Sequence, residues 1–184
     1  MKIKFANVGG INTRYICEGE GPTLVLIHGI GHSADVFYRN IDALARDYFV
    51  IAPDLPGHGF TERMDLAGGA PQPLFVRQLE LLLDQLEIGT YSVLGSSFGG
   101  LLACLMTLSR PSKVNNLIVV GSGGAFHSAD EQRRTPERTL HVVLLAGAIR
   151  TAVPSVSESG GLRMTTSSGC NPESISMVLP KSRP

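Results

Sequence analysis

Apolar and polar positions alternate along two short stretches at the start of the chain, "KIKFANV" and "INTRYICEG", with Gly9 and Gly10 between them. A period of two across a Gly–Gly turn predicts a two-stranded antiparallel hairpin. The next stretch, "TLVLIHG", is a continuous run of leucine and β-branched residues closed by a glycine. It predicts a strand buried on both faces, the habit of parallel sheets. Residues 33–48, "SADVFYRNIDALARDY", place Val36, Phe37, Ile41, Leu44 and Ala45 near helical spacing behind a capping Ser33, which predicts an amphipathic helix. "FVIAPDLPGHG" then reads as a strand and a Pro/Gly turn. "PLFVRQLELLLDQLEIG" carries leucines at helical spacing, with Gly89 placed to stop it. "YSVLG" is a further strand, "FGGLLACLMTLSRP" a helix ending ahead of Pro111, and "VNNLIVVG" another strand.

A hairpin followed by repeated strand–helix units specifies an α/β fold, a mainly parallel sheet with helices on both faces. Beyond Gly121 the pattern weakens. "PERTLHVVLLAGAIR" predicts one more helix, opened by Pro136 in its first turn. From Thr151 to Pro184 about half the residues are Ser, Thr, Pro or Gly and neither period survives, the composition of a disordered or aberrant tail. The chain therefore divides into an α/β core over 1–124, a helical segment over 125–150 and a low-complexity tail over 151–184.

Composition narrows the choice of partners. With 184 residues the chain has room for one domain with a real core, and its 16 Lys and Arg balance 16 Asp and Glu. Zero formal charge supplies no field to gather nucleic acid or anionic lipid. No apolar leader opens the sequence and no run reaches the ~18 residues of a membrane span, so a cytoplasmic protein is expected. Cys17, Cys104 and Cys170 form no CxxC pair, and buried reduced thiols are expected in place of disulfides or a zinc site. No metal or cofactor is called for, and a small-molecule substrate is the expected partner.

The chemistry gathers in "YSVLGSSFGGLLA". Gly95, Ser97 and Gly99 fit GxSxG between a strand and a helix, which makes Ser97, and not Ser96, the candidate nucleophile. A sharp turn must lift the hydroxyl clear of the backbone, and flanking glycines let strand and helix approach closely enough to make it. Free N–H groups at the helix start favour developing negative charge. "HGIGHSADVF" follows the third strand, where such an architecture places a second oxyanion donor. The expected donors are the backbone N–H groups of Ile30 and Phe98.

"LIHGIGHSADVF", "VIAPDLPGHGFTE" and "VLGSSFGGLLA", in this order, resemble the α/β-hydrolase fold superfamily over residues 1–124. The resemblance implies a serine hydrolase cleaving an ester, thioester, amide or activated carbon–carbon bond. "IVVGSGGAF" is also similar to the corresponding stretch of hydrolases acting on ring-cleavage products. In that family the acid and the histidine follow the serine in the chain. His28, His32 and His58 all precede Ser97. His28 matches the family's structural HG position, and Asp54, ahead of His58 in the PGHG turn, is expected to order loops. Downstream stand His127 and His141, with Asp130, Glu131 and Glu137 near them; none can be carried over as acid or base, so both remain unknown. A serine hydroxyl without a base is a poor nucleophile, and weak or absent turnover is expected.

The loss of periodicity where the resemblance ends suggests a C-terminally truncated or frame-shifted hydrolase. A sheet lacking its last strands would expose an apolar edge, through which insolubility or homo-oligomerisation is expected. The competing reading is a non-catalytic small-molecule-binding or scaffold protein on the same fold. Nucleotide binding through "GSGG" fails, because Gly121, Gly123 and Gly124 do not make GxGxxG and no GK[ST] follows.

Overall fold

The computed structural model describes residues 1–122 together with Val142–Ala146, Ser155–Val156 and Leu162–Arg163. Gly9 and Gly10, at φ 57° and 89°, form the two-residue turn that joins β1 (Lys2–Val8) to β2 (Ile11–Glu18). Left-handed φ at both positions matches the twist of the flanking strands, so Val8 pairs with Ile11 and the ladder runs out to Lys2 and Cys17. β2 then lies antiparallel to β4 (Phe49–Pro53). β3 (Thr23–Ile27) pairs in parallel with both β4 and β5 (Tyr91–Ser96), and β5 pairs in parallel with β6 (Val114–Val120). The sheet order is β1-β2-β4-β3-β5-β6-β7.

Continuous apolar strands are required because each face of this sheet is covered. Val25 and Ile27 of β3, Ile51 of β4, Val93 of β5 and Leu117 and Val119 of β6 point to one core. There they meet α2 (Pro71–Gln85) through Phe75, Val76, Leu79, Leu82 and Leu83, and α3 (Phe98–Ser109) through Leu102, Ala103, Cys104 and Met106. The intervening residues, Leu24 and Leu26 of β3 with Val50 and Ala52 of β4, point to the opposite core, against Ala34, Phe37 and Ile41. Cys17 and Cys104 are buried free thiols, and burial pushes the Cys104 thiol up from its usual pKa.

Three elements differ from the sequence reading. The helix expected over 33–48 is broken into a 3₁₀ turn, Ala34–Phe37, and α1, Tyr38–Leu44. Ser33 does cap it, accepting from the Asp35 N–H, but Val36 is 42% exposed, because the turn is pulled toward side chains of β2 and the loop after β4. α2 ends at Gln85, before Gly89. Glu87 takes the left-handed conformation at φ 57°, the Ile88 N–H reaches the Leu83 carbonyl, and the Ile88 side chain packs on the core. An apolar anchor just past the helix thus terminates it without glycine.

The helix expected from Pro136 is, in its described part, a strand. β7 (Val142–Ala146) runs antiparallel to β6, so the open edge expected beside β6 is paired by the chain itself. A short apolar run led by two valines satisfies either period, and an unpaired strand edge decides for the strand. In the tail, β8 (Ser155–Val156) and β9 (Leu162–Arg163) form a separate antiparallel pair where no strand was expected. Among the described residues no helix is long and apolar enough to cross a membrane.

One buried ion cluster ties the hairpin to the rest of the domain. Arg14 of β2 gives two hydrogen bonds to Asp35, at 2.8 and 2.7 Å, and one to Asp54 at 3.1 Å. The Arg14 and Asp54 side chains are 3% and 0% exposed, so neither charge has solvent to fall back on. Arg14→Met would strand the Asp54 carboxylate and is expected to destabilise the fold by about 3–5 kcal/mol. Urea unfolding of the two proteins measures it; an unchanged midpoint would contradict the assignment.

Candidate active site

Ser97 occupies the single residue between β5 and α3, and its backbone sits at φ 54° and ψ −120°. A non-glycine residue there carries strain of about 1–3 kcal/mol, which persists only where the surroundings impose it. Here they are backbone. The Ser97 N–H donates to the Val120 carbonyl at 2.9 Å, and the Gly100 N–H donates to the Ser97 carbonyl at 2.9 Å. A Cβ on Gly95 would lie 2.1 Å from the Gly99 carbonyl oxygen, and one on Gly99 would lie 2.2 Å from that of Ile27. The turn closes only because both positions lack a side chain, and it leaves Ser97 exposed at the carboxyl end of the sheet.

Phe98 opens α3, so its N–H is among those with no acceptor inside the helix. Its ring packs edge-on to Phe75 at 6.2 Å. Ile30 lies in the loop after β3, 61% exposed, and among the described residues its N–H donates to no backbone carbonyl. That loop lies against the serine: a Cβ on Gly29 would be 3.1 Å from Ser97 Cβ and 3.5 Å from Ser97 Oγ. The structure therefore brings Ser97, Phe98, Gly95, Gly99 and the Gly29–Ile30 segment together.

Two of the upstream histidines, His28 and His58, are occupied elsewhere. His28 is fully buried; its Nε2 accepts from the Leu55 N–H at 2.9 Å and its Nδ1 lies 2.8 Å from the Gly29 carbonyl. Burial, the largest influence, lowers its pKa below the ordinary 6.5. His58 packs between the rings of His28, at 5.5 Å, and Phe75, at 6.3 Å, with Nδ1 3.0 Å from the Pro56 carbonyl. Among the described residues no hydrogen bond joins Ser97 Oγ to a histidine. His127, His141, Asp130, Glu131 and Glu137 lie outside the described residues, as do Cys170 and the end of "GSGG".

Asp54 orders loops, as read from the sequence, and it does so with every oxygen engaged. Oδ1 accepts from the Ala34 N–H at 2.7 Å, while Oδ2 accepts from the Phe60 N–H at 2.9 Å and from Arg14. A Cβ on Gly59 would fall 2.1 Å from Oδ2, so the PGHG turn wraps this carboxylate. Sequence reasoning missed Arg14 and Asp35. The only signal was one cation inside an otherwise buried strand, "INTRYICE", where a charge needs a partner. The Arg14 guanidinium beside Asp35 holds that carboxyl down to about 2. Among the described residues no three His, Cys, Asp or Glu side chains cluster to hold a metal ion.

Two outcomes check this geometry. Gly99→Ala is expected to destabilise the domain by about 1–3 kcal/mol or more, since the backbone must part to admit a methyl group; calorimetry against wild type decides it. His28 has a lowered pKa in the fold, so below its ordinary 6.5 the unfolded chain takes up a proton that the folded chain refuses. Stability is expected to fall as pH drops from 7 toward 5, with a flatter profile in His28→Asn.

Known proteins share this arrangement. The family described as alpha/beta hydrolase fold matches residues 22–146. A 1-acylglycerol-3-phosphate O-acyltransferase of Arabidopsis thaliana is 39% identical over 65% of this chain and 30% of its own length. A 2-hydroxy-6-oxo-6-(2'-aminophenyl)hexa-2,4-dienoic acid hydrolase of Metapseudomonas resinovorans is 34% identical over 76% of this chain and 51% of its own. The crystal structure of a variant of the meta-cleavage product hydrolase CumD superposes with a TM-score of 0.62 at 35% identity, covering 68% of this chain and 47% of that one. The chain thus spans about a third to a half of the length of these relatives. The family match covers more than half of the chain, and the chain belongs to the alpha/beta hydrolase fold family.

Proposed function

We propose that this chain carries the nucleophile half of a serine hydrolase site acting on a small ester, thioester, amide or activated carbon–carbon substrate. The observation that carries the reading is the strained, exposed Ser97 at the turn between β5 and α3. Ser97 Oγ forms a bond to the carbonyl carbon as its proton passes to solvent water, and the carbonyl electron pair moves onto oxygen. The N–H groups of Ile30 and Phe98 are assigned to that oxyanion, with the N-terminal end of α3 adding its partial positive charge. Collapse of the tetrahedral species expels the alcohol, thiol, amine or carbon leaving group and leaves acyl-Ser97, which water then cleaves. The hydrolase names among the relatives support this class, and the ring-cleavage likeness of "IVVGSGGAF" agrees with the name of the CumD protein, a meta-cleavage product hydrolase.

Among the described residues no hydrogen bond joins Ser97 Oγ to a histidine, and His28 is committed to Leu55 and Gly29 and His58 to Pro56. Without a base, oxyanion donors and binding supply on the order of a 10³–10⁴-fold enhancement over water. The same absence is what a non-catalytic binding protein on this fold would display, and one experiment separates the two. A fluorophosphonate probe followed by mass spectrometry is expected to modify Ser97 in the wild type and nothing in Ser97→Ala, with slow p-nitrophenyl acetate hydrolysis lost in the same variant. A folded chain that never labels yet binds small apolar esters would establish the binding reading instead.

A further inference from the structure

We infer that His28 is a positioning residue, which by its hydrogen-bonded tautomer sets the orientation of the Gly29–Ile30 peptide above Ser97. The inference deepens the serine hydrolase reading and rests on it. The partner of His28 Nε2 is a backbone N–H, that of Leu55 at 2.9 Å, so Nε2 must be the unprotonated acceptor. The ring proton is thereby forced onto Nδ1, which donates to the Gly29 carbonyl at 2.8 Å. The His32 N–H reaches the same oxygen at 3.3 Å, so this carbonyl is held by two donors.

Holding the carbonyl holds the amide behind it. Gly29 C=O and Ile30 N–H belong to one planar peptide, and no cis bond occurs among the described residues, so the two dipoles point to opposite sides. Were the carbonyl to turn, the Ile30 N–H would turn with it, and Gly29 is the residue on which an added Cβ would lie 3.5 Å from Ser97 Oγ. The far end of the same loop is fastened by the neighbour of Leu55: Asp54 Oδ1 takes the Ala34 N–H at 2.7 Å. Two consecutive residues after β4 therefore grip the loop after β3 at both ends, one through its carboxylate and one through its amide. Only a neutral imidazole serves, because a second ring proton would face the Leu55 N–H in a buried site. The titratable groups around the ring are His58, Asp54 and His32.

Two substitutions divide the two bonds of the ring. His28→Gln keeps an acceptor near Nε2 for Leu55 and loses the donor to Gly29; His28→Asn keeps a donor near Nδ1 and leaves the Leu55 N–H without its acceptor. In His28→Gln the Ile30 amide resonance is expected to move, and fluorophosphonate labelling of Ser97 to slow about tenfold, as for a misaligned oxyanion donor. His28→Asn is expected to lose thermal stability while keeping the Ile30 resonance near wild type. An Ile30 resonance and labelling rate unchanged in His28→Gln would overturn the inference. So would a wild-type nitrogen spectrum placing the His28 proton on Nε2, a result that needs no variant to fold. Labelling that persists in Ser97→Ala would sink the serine reading instead, and the Ile30 resonance in the same samples would still decide the role of His28.

Discussion

The carbonyl of Ile27 at the end of β3 and the backbone of α3 at Gly99 approach too closely to admit a side chain between them. A Cβ built on Gly99 would lie 2.2 Å from the Ile27 oxygen, and one built on Gly95 would lie 2.1 Å from the Gly99 carbonyl oxygen. Everything at the candidate site follows from this contact of backbone with backbone. It sets the angle at which the helix leaves the strand, which puts Ser97 at positive φ and exposes its hydroxyl. It also brings the end of β3 against the serine, so that Gly29 and Ser97 become neighbours although they stand far apart in the chain.

The buried Arg14–Asp54 pair is costly on its own terms, because both charges give up solvent. Its return is organisation: Asp54 collects an N–H from the 3₁₀ turn and one from the PGHG turn, while Arg14 anchors both to the hairpin and Asp35 to the turn. Phe60, exposed above the guanidinium at 5.1 Å, covers the cluster with the face of its ring. Two loops and strand β2 thus share a single electrostatic anchor, and an apolar substitute could fill the volume without specifying the loops' directions.

The strands were legible because a sheet covered on both faces demands unbroken apolar runs, and "TLVLI" and "VNNLIVV" supply them. Ser97 was legible because the steric need for glycine at fixed offsets leaves a literal pattern in the sequence. The Arg14 cluster left no such mark: its partners lie 21 and 40 residues away, and no local period encodes a pairing made by tertiary approach. The same long-range pull broke the helix expected over 33–48, where local propensity alone favoured continuity. At Val142–Ala146 the apolar run was ambiguous by itself, and the vacancy beside β6, a property of the assembled sheet, resolved it. The tautomer of His28 likewise depends on the Leu55 amide, which no reading of "LIHG" supplies.

The strand order carries a consequence of its own. From β3 the chain crosses to β4 on one side, and β5 is added on the other, so the connections diverge at the β3–β5 boundary. In a parallel sheet such a point leaves a crevice beyond the carboxyl ends of the two strands, where neither crossover covers the edge. The loop carrying Ile30 and the turn carrying Ser97 are the two lips of that crevice. The crevice is therefore laid down by connectivity, ahead of any choice of the side chains that line it.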